Sequence, residues 1–236
     1  MKPMRLYYMT EAIWAKKILR EQRFKLSRLN DLNDPFEFVG ACIGEKQGRK
    51  VAKVLRDHWH KNIGILCTGT SYDSPVMWAH YGHKHRGVCL GFDFVVDEDL
   101  RRPSQVKYEP ERVKGLFENL GPKNLMTEKQ LGLLLTTKFK DWEYEREWRL
   151  FARLDERDAE DELYYLNFEP HIQLREVILG ARCKETVKDF AALVPPPKLP
   201  VEVFKLRGAF DSFAMVRQKQ ISPIFVRPKR TKPKPA

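Results

Sequence analysis

No two cysteines of this chain stand in a C-x-x-C pair: Cys42, Cys67, Cys89 and Cys183 are scattered. That is the pattern of reduced core thiols, and it excludes a disulfide framework or a zinc knuckle. No apolar run approaches the ~18 to 20 residues that a membrane-crossing helix needs. The opening MKPMRLYYMT lacks the apolar stretch of a secretory signal. Both absences lead to the expectation of a cytoplasmic protein with no membrane partner. Phosphate loops of the G-x-x-x-x-G-K-[ST] or G-x-G-x-x-G type are missing, as are the G-x-S-x-G nucleophile elbow and the H-E-x-x-H zinc signature. His80, His83 and His85, with His58 and His60 upstream, suggest a metal cluster at first sight. Only His80 and His83 share a helical face, so no metal is expected.

Acidic residues are also short in number, 32 against 43 basic ones, which gives a net charge of +11. Arg227, Lys229, Arg230, Lys232 and Lys234 fall in the last ten residues, RPKRTKPKPA, where there is no acid at all. A proline-spaced basic stretch cannot bury apolar surface, so residues 227–236 are expected to be a disordered tail. It either solubilises the protein or touches nucleic acid by releasing counterions from it. The remainder, 1–226, has enough apolar content (42% of the whole chain) for one core.

Turn signals and periodicity place helices and strands in mixed order. RLYYMT reads as a strand, and Ile13, Trp14, Ile18 and Leu19 have the spacing of a helix that buries one face, with Thr10 as its cap. RLNDLNDPFEF is a turn region, in which Asn33, Asp34 and Pro35 supply the turn chemistry. Residues 45–62 read as a basic helix, IGILCTGTS and RGVCLGFDF as strands, and SPVMWAHYG as a short helix with Pro75 in its first turn. Residues 112–138 read as mainly helical. No βαβ repeat is visible, so the fold class expected is α+β: a single domain with a mixed, largely antiparallel central sheet flanked by helices.

The stretch KDWEYEREWRL crowds three glutamates, two arginines and two tryptophans into Lys140–Leu150. Read as a strand, its period of two puts Glu143, Glu145, Glu147 and Arg149 on one face and Trp142, Tyr144 and Trp148 on the other. A row of carboxylates backed by aromatics needs cations beside it, and Lys138 can reach it from the preceding segment.

NDPFE (33–37), MWAHYGHKHRGVCLGF (77–92), VKY (106–108), KFKDWEYEREWRL (138–150) and EVILG (176–180) occur in this order. By these motifs the chain is identified as a member of a bacterial domain-of-unknown-function family, over roughly residues 5–207. A weaker resemblance is to the ADP-ribosyltransferase superfamily, in the succession AIWAKKILREQRFKLS, CTGTSYDSPVMWAHYG and EYEREWR. That resemblance implies a split sheet and NAD as substrate. Its chemistry needs an aromatic to stack on nicotinamide, donors for ribose and phosphate, and a carboxylate near the ribose. Trp78 or Tyr81 would stack, Arg5 or Arg149 would meet phosphate, and Glu147 or Glu145 would be catalytic. Asn33, Asp34, Glu37, Ser71 and Lys138 complete the candidate site.

Each residue also has a plainer reading. Glu145, Glu147 and Arg149 with Lys138 would form a buried ion network, Asn33 and Asp34 would lock a turn, and Trp78 and Tyr81 would be core. Three functions therefore stay open: an NAD-consuming ADP-ribosyltransferase-like enzyme, a toxin or defence effector; a nucleic-acid-binding or nucleic-acid-processing protein; and a non-catalytic binding or regulatory module.

Overall fold

The computed structural model describes residues 3–38, 40–41, 43–94, 102–117 and 126–229. Cys42, residues 118–125 of the expected 112–138 helix and residues 230–236 of the tail lie outside the described residues. The elements run in the order β1 (Met4–Thr10), α1 (Ala12–Glu21), β2 (Arg23–Lys25), α2 (Lys46–Asn62), β3 (Ile63–Thr68), α3 (Pro75–His80) and β4 (Val88–Phe94). There follow β5 (Ser104–Gln105), β6 (Lys107–Glu109), α4 (Glu128–Thr136), β7 (Thr137–Phe139), β8 (Trp148–Arg153) and β9 (Tyr165–Asn167). The last are β10 (Ile172–Leu179), α5 (Val187–Ala191), β11 (Val201–Gly208), β12 (Met215–Arg217) and β13 (Ile224–Val226). The α+β class and the mixed, largely antiparallel sheet expected from the sequence are both present.

The described chain divides into two discontinuous units, residues 1–24, 68–100 and 167–236 in the first, 25–67 and 101–166 in the second. The first unit is built on a six-stranded sheet in the order β1-β4-β10-β11-β12, with β13 also paired to β11. β4 runs antiparallel to both β1 and β10, and β10 runs parallel to β11. Every residue of β4 is buried, as expected of a strand with neighbours on both edges. α1 buries Ala15, Ile18 and Leu19, an i, i+3, i+4 stripe. Ile13 and Trp14, expected on that stripe, are 64% and 54% exposed instead. At about 100° per residue Ile13 lies about 160° from Ala15, on the solvent side, and Trp14, about 40° from Ile18, borders the stripe without being covered by it. Nor does Thr10 cap it: Glu11 is the N-cap residue, and Thr10 closes β1 opposite Val88.

In the second unit β3, β8 and β5 form a small sheet and β6 pairs parallel with β7. Its core gathers Leu29, Phe38, Ile65, Leu116, Leu134 and Leu135, against which Trp59 and Phe151 pack. KDWEYEREWRL does not form the expected strand along its length. Lys140–Glu145 is a 3-10 helix, Arg146 takes a left-handed conformation (φ 45°, ψ 48°), and β8 begins only at Trp148. Helix 112–138 is likewise shorter among the described residues: α4 starts at Glu128, capped by a reciprocal Thr127–Gln130 box. No helix among the described residues is long and apolar enough to cross a membrane.

Candidate functional site

The candidate residues fall into two groups, one in each unit. In the second unit, β7 delivers Lys138, the turn ending in left-handed Arg146 delivers Glu145 and Glu147, β8 delivers Arg149, and the NDPFE turn delivers Glu37. Lys138 Nζ lies 2.7 Å from Glu145, 3.4 Å from Glu37 and 3.5 Å from Glu147. Its ammonium also sits 4.6 Å from the ring centroid of Trp142. Arg149 donates to Glu147 through Nε (2.8 Å) and Nη2 (3.0 Å), to Glu37 through Nη2 (2.7 Å) and to the Leu135 carbonyl through Nη1 (2.9 Å). All five residues are buried, none more than 5% exposed.

Burial alone would raise the Glu147 carboxyl, but Arg149, then Lys138 and a hydrogen bond from the Cys67 thiol, hold it down at about 2. Burial opposes the charge on Lys138, yet Glu147, Glu37 and Glu145 outweigh it and raise its affinity for the proton. The Cys67 thiol is pushed well up, by burial first and then by Glu147. Tyr108 Oη accepts the backbone N–H of Glu147 (2.8 Å) and fixes the strand entry. This network can keep charges ordered in a dry interior. Glu145 and Glu147 do not line the cavity of about 320 Å³ nearby, whose walls include Phe36, Thr137, Lys138 and Phe139.

Asp34, also buried here, spends Oδ1 on the N–H of Phe36 (2.9 Å), a turn lock, and Asn33 is exposed on the same turn. Ser71, Trp78 and Tyr81 belong to the first unit. Ser71 donates to Asp73 at 2.7 Å within a turn. Trp78 is wholly buried, its indole N–H given to the Tyr72 carbonyl at 2.6 Å, and it packs with Cys89, Ile178, Phe204, Leu206 and Met215. Tyr81 follows as the C-cap of α3, partly exposed. Of the histidines, His83 lies 3.4 Å from Glu11.

The sheet face of the first unit carries a polar group that only Arg5 had announced. Arg5 holds Asp93 with Nε and Nη2 (2.6 and 3.2 Å) and Glu176 with Nη1 (2.8 Å). Tyr7 Oη donates to the same Glu176 oxygen at 3.0 Å. The register explains the gathering: Tyr7 is opposite Gly91, Gly91 opposite Glu176, and Glu176 opposite Glu202, one row across four strands. A side chain at Gly91 would put Cβ 2.8 Å from Glu176 Oε2 and 2.9 Å from the Tyr7 ring. Arg217 pairs with Glu202, lies 3.9 Å from Glu176 and stacks 3.9 Å over the Phe204 ring. Tyr72 meets Tyr7 and Phe204 edge-on, at 5.4 and 5.8 Å. Unlike the buried network, this face is open to solvent: the side chains of Arg5, Glu176 and Arg217 are 34%, 12% and 44% exposed. Burial, then the Glu176 charge, lifts the Tyr7 phenol well above its ordinary range, so it stays a neutral donor. The signal available in the sequence was the alternation of Arg5 and Tyr7 in β1 and the lone Asp93 in an apolar strand.

The model of the family described as Protein of unknown function (DUF2971) matches residues 77–150. This bears out the resemblance to a domain-of-unknown-function family over that segment, which takes in α3 and β4 of the first unit and β5 to the start of β8 of the second. No curated protein and no solved structure matches the chain.

Proposed function

We propose that the protein is a cytoplasmic, NAD-consuming enzyme of the ADP-ribosyltransferase type, a toxin or defence effector, and that the sheet face around Glu176 carries the chemistry. In such a reaction the bond from C1′ to the nicotinamide nitrogen breaks, its electron pair leaving with neutral nicotinamide. The acceptor nucleophile then bonds to C1′ and loses a proton. Positive charge builds on the ribose in the transition state, and a fixed carboxylate beside it lowers the barrier.

The observation that carries this reading is the state of Glu176: solvent-reachable, yet oriented by two donors, Tyr7 and Arg5, at 3.0 and 2.8 Å. Glu147 and Glu145, the carboxylates expected from the sequence, are spent on Lys138 and Arg149 and buried with them. Around Glu176, Tyr72 and Tyr7 offer ring edges for a nicotinamide, and Arg217 and Arg175 stand near for a diphosphate.

Nicotinamide release from NAD by the full chain is the test. Wild type should release it, and Glu176→Gln should lower the rate by ~10² or more while melting within a few degrees of wild type. Absence of both release and saturable NAD binding would overturn the reading, and so would an undiminished rate in Glu176→Gln.

A further inference from the structure

Two phenylalanines at the tip of the β11–β12 hairpin stand almost entirely in solvent, Phe210 at 92% and Phe213 at 101% exposure. Full exposure of neighbouring large rings is uncommon and marks contact surfaces. The tip is not loose. Gly208 is registered opposite Met215, and the Ala209 N–H donates to the Ala214 carbonyl at 2.8 Å, which closes a four-residue loop, Phe210–Asp211–Ser212–Phe213. Below it, the Met215 N–H is anchored to the Asp73 carbonyl at 2.8 Å. The rings are thus held out by an ordered stem.

We propose that this tip binds unpaired bases of single-stranded nucleic acid. Flat, solvated ring faces are what base stacking requires, and stacking tolerates any base. One face already shows its preference for a planar cation: the Arg207 guanidinium lies 4.0 Å from the Phe210 centroid, held by a 2.8 Å bond to the Gly208 carbonyl. Between the rings stand Asp211 and Ser212, both exposed, with the Ser212 hydroxyl donating to Asp211 at 3.2 Å. A carboxylate and a hydroxyl there meet the edge of a stacked base, the carboxylate accepting from ring and exocyclic N–H groups. On the stem and just beyond it, Lys205, Arg207 and Lys219 outnumber the single acid of the tip, and Lys219 has no ion-pair partner among the described residues. These supply the phosphate contacts. A membrane surface suits the tip less well, because Asp211 would enter the headgroup layer together with the rings and meet anionic lipid there. The proposal does not depend on the NAD reading: different side chains carry it.

Fluorescence anisotropy of the full chain with a short fluorescein-labelled single strand, DNA and RNA, and with the duplex of the same sequence, tests it. The single strand should bind more tightly than the duplex. The double variant Phe210→Ala/Phe213→Ala should bind at least about tenfold more weakly with an unchanged melting temperature, since the rings contact little. Phe→Trp at both positions should preserve binding, and Asp211→Ala should change the ranking of guanine-, adenine-, cytosine- and thymine-rich strands. Sedimentation with vesicles of anionic phospholipid runs in parallel. No oligonucleotide binding by wild type, equal binding by the double alanine variant, or a preference for duplex would each overturn the proposal. Ring-dependent sedimentation with vesicles, in the absence of ring-dependent oligonucleotide binding, would assign the tip to a membrane instead.

Discussion

Arg149 grips Glu147 at two points, Nε to Oε1 at 2.8 Å and Nη2 to Oε2 at 3.0 Å, with both side chains under 7% exposed. The planar guanidinium matches the carboxylate as no ammonium can. Arg149→Leu would leave Glu147 and Glu37 buried with only Lys138 to answer them. A loss of roughly 3 to 5 kcal/mol in urea unfolding is expected, with Arg149→Lys losing less. A loss under ~1 kcal/mol would mean that water reaches the network.

Acid should expose the same pair. Glu147 is held at about 2 in the folded protein against an ordinary 4.5, so its contribution is present above the unfolded value and disappears as pH falls through the folded one. The size is on the order of 3 kcal/mol. Between about pH 5 and pH 2, wild type should lose this stability progressively, and Glu147→Gln should lack that part of the slope. Parallel slopes in the two proteins would contradict it.

Gly91→Ala separates room from charge at the sheet face. The new Cβ would stand 2.8 Å from Glu176 Oε2 and 2.9 Å from the Tyr7 ring. The Glu176 carboxylate can swing aside, while the Tyr7 ring and the Glu176 Cβ, 3.1 Å away, must give by a few tenths of an ångström, and the fold should survive. The Tyr7–Glu176 hydrogen bond should not. NAD turnover is expected to fall about tenfold or more, with melting shifted by only a few degrees. Full activity in Gly91→Ala would show that the orientation of Glu176 is immaterial.

Thiol reactivity gives a further check. Cys67, Cys89 and Cys183 are free, and burial raises each thiol, Cys183 to about 11 and the other two well above their ordinary value. The thiolate is the reacting form, so peptide-resolved alkylation at pH ~8 should be slow at all three in the native protein and rapid after denaturation. Fast native labelling of Cys67 would indicate that the region around Glu147 opens.

Much of the architecture was legible from local pattern: the apolar run of β4, the strand reading of RLYYMT and Pro75 at the start of α3 all mark real elements. KDWEYEREWRL was legible in its company but not in its shape. Glu145, Glu147, Arg149 and Lys138 do meet, as a strand face would require, yet a 3-10 helix and a left-handed Arg146 bring them together. A charged, aromatic-rich stretch of eleven residues fits both periodicities, and only the tertiary ion pairs decide between them. Glu37 was expected near these residues and is bound to both Arg149 and Lys138. Glu176 was not legible as a site residue. Its neighbours Tyr7, Gly91 and Glu202 are up to 169 positions away, and which strand lies beside which, in what register, is not written in any one of them.

The interleaving of the two units has a consequence for synthesis. β1 is made before the other strands of its sheet, but β4, its partner, starts at residue 88, and the sheet is not complete until β13 at residue 224. At roughly 10 residues per second, a nascent chain carries an unpaired Met4–Thr10 for about ten seconds and an unfinished sheet for about twenty. The second unit has all its segments once residue 166 is made. Vectorial growth therefore favours closing the later-starting unit first, while β1 waits as an open edge for β4.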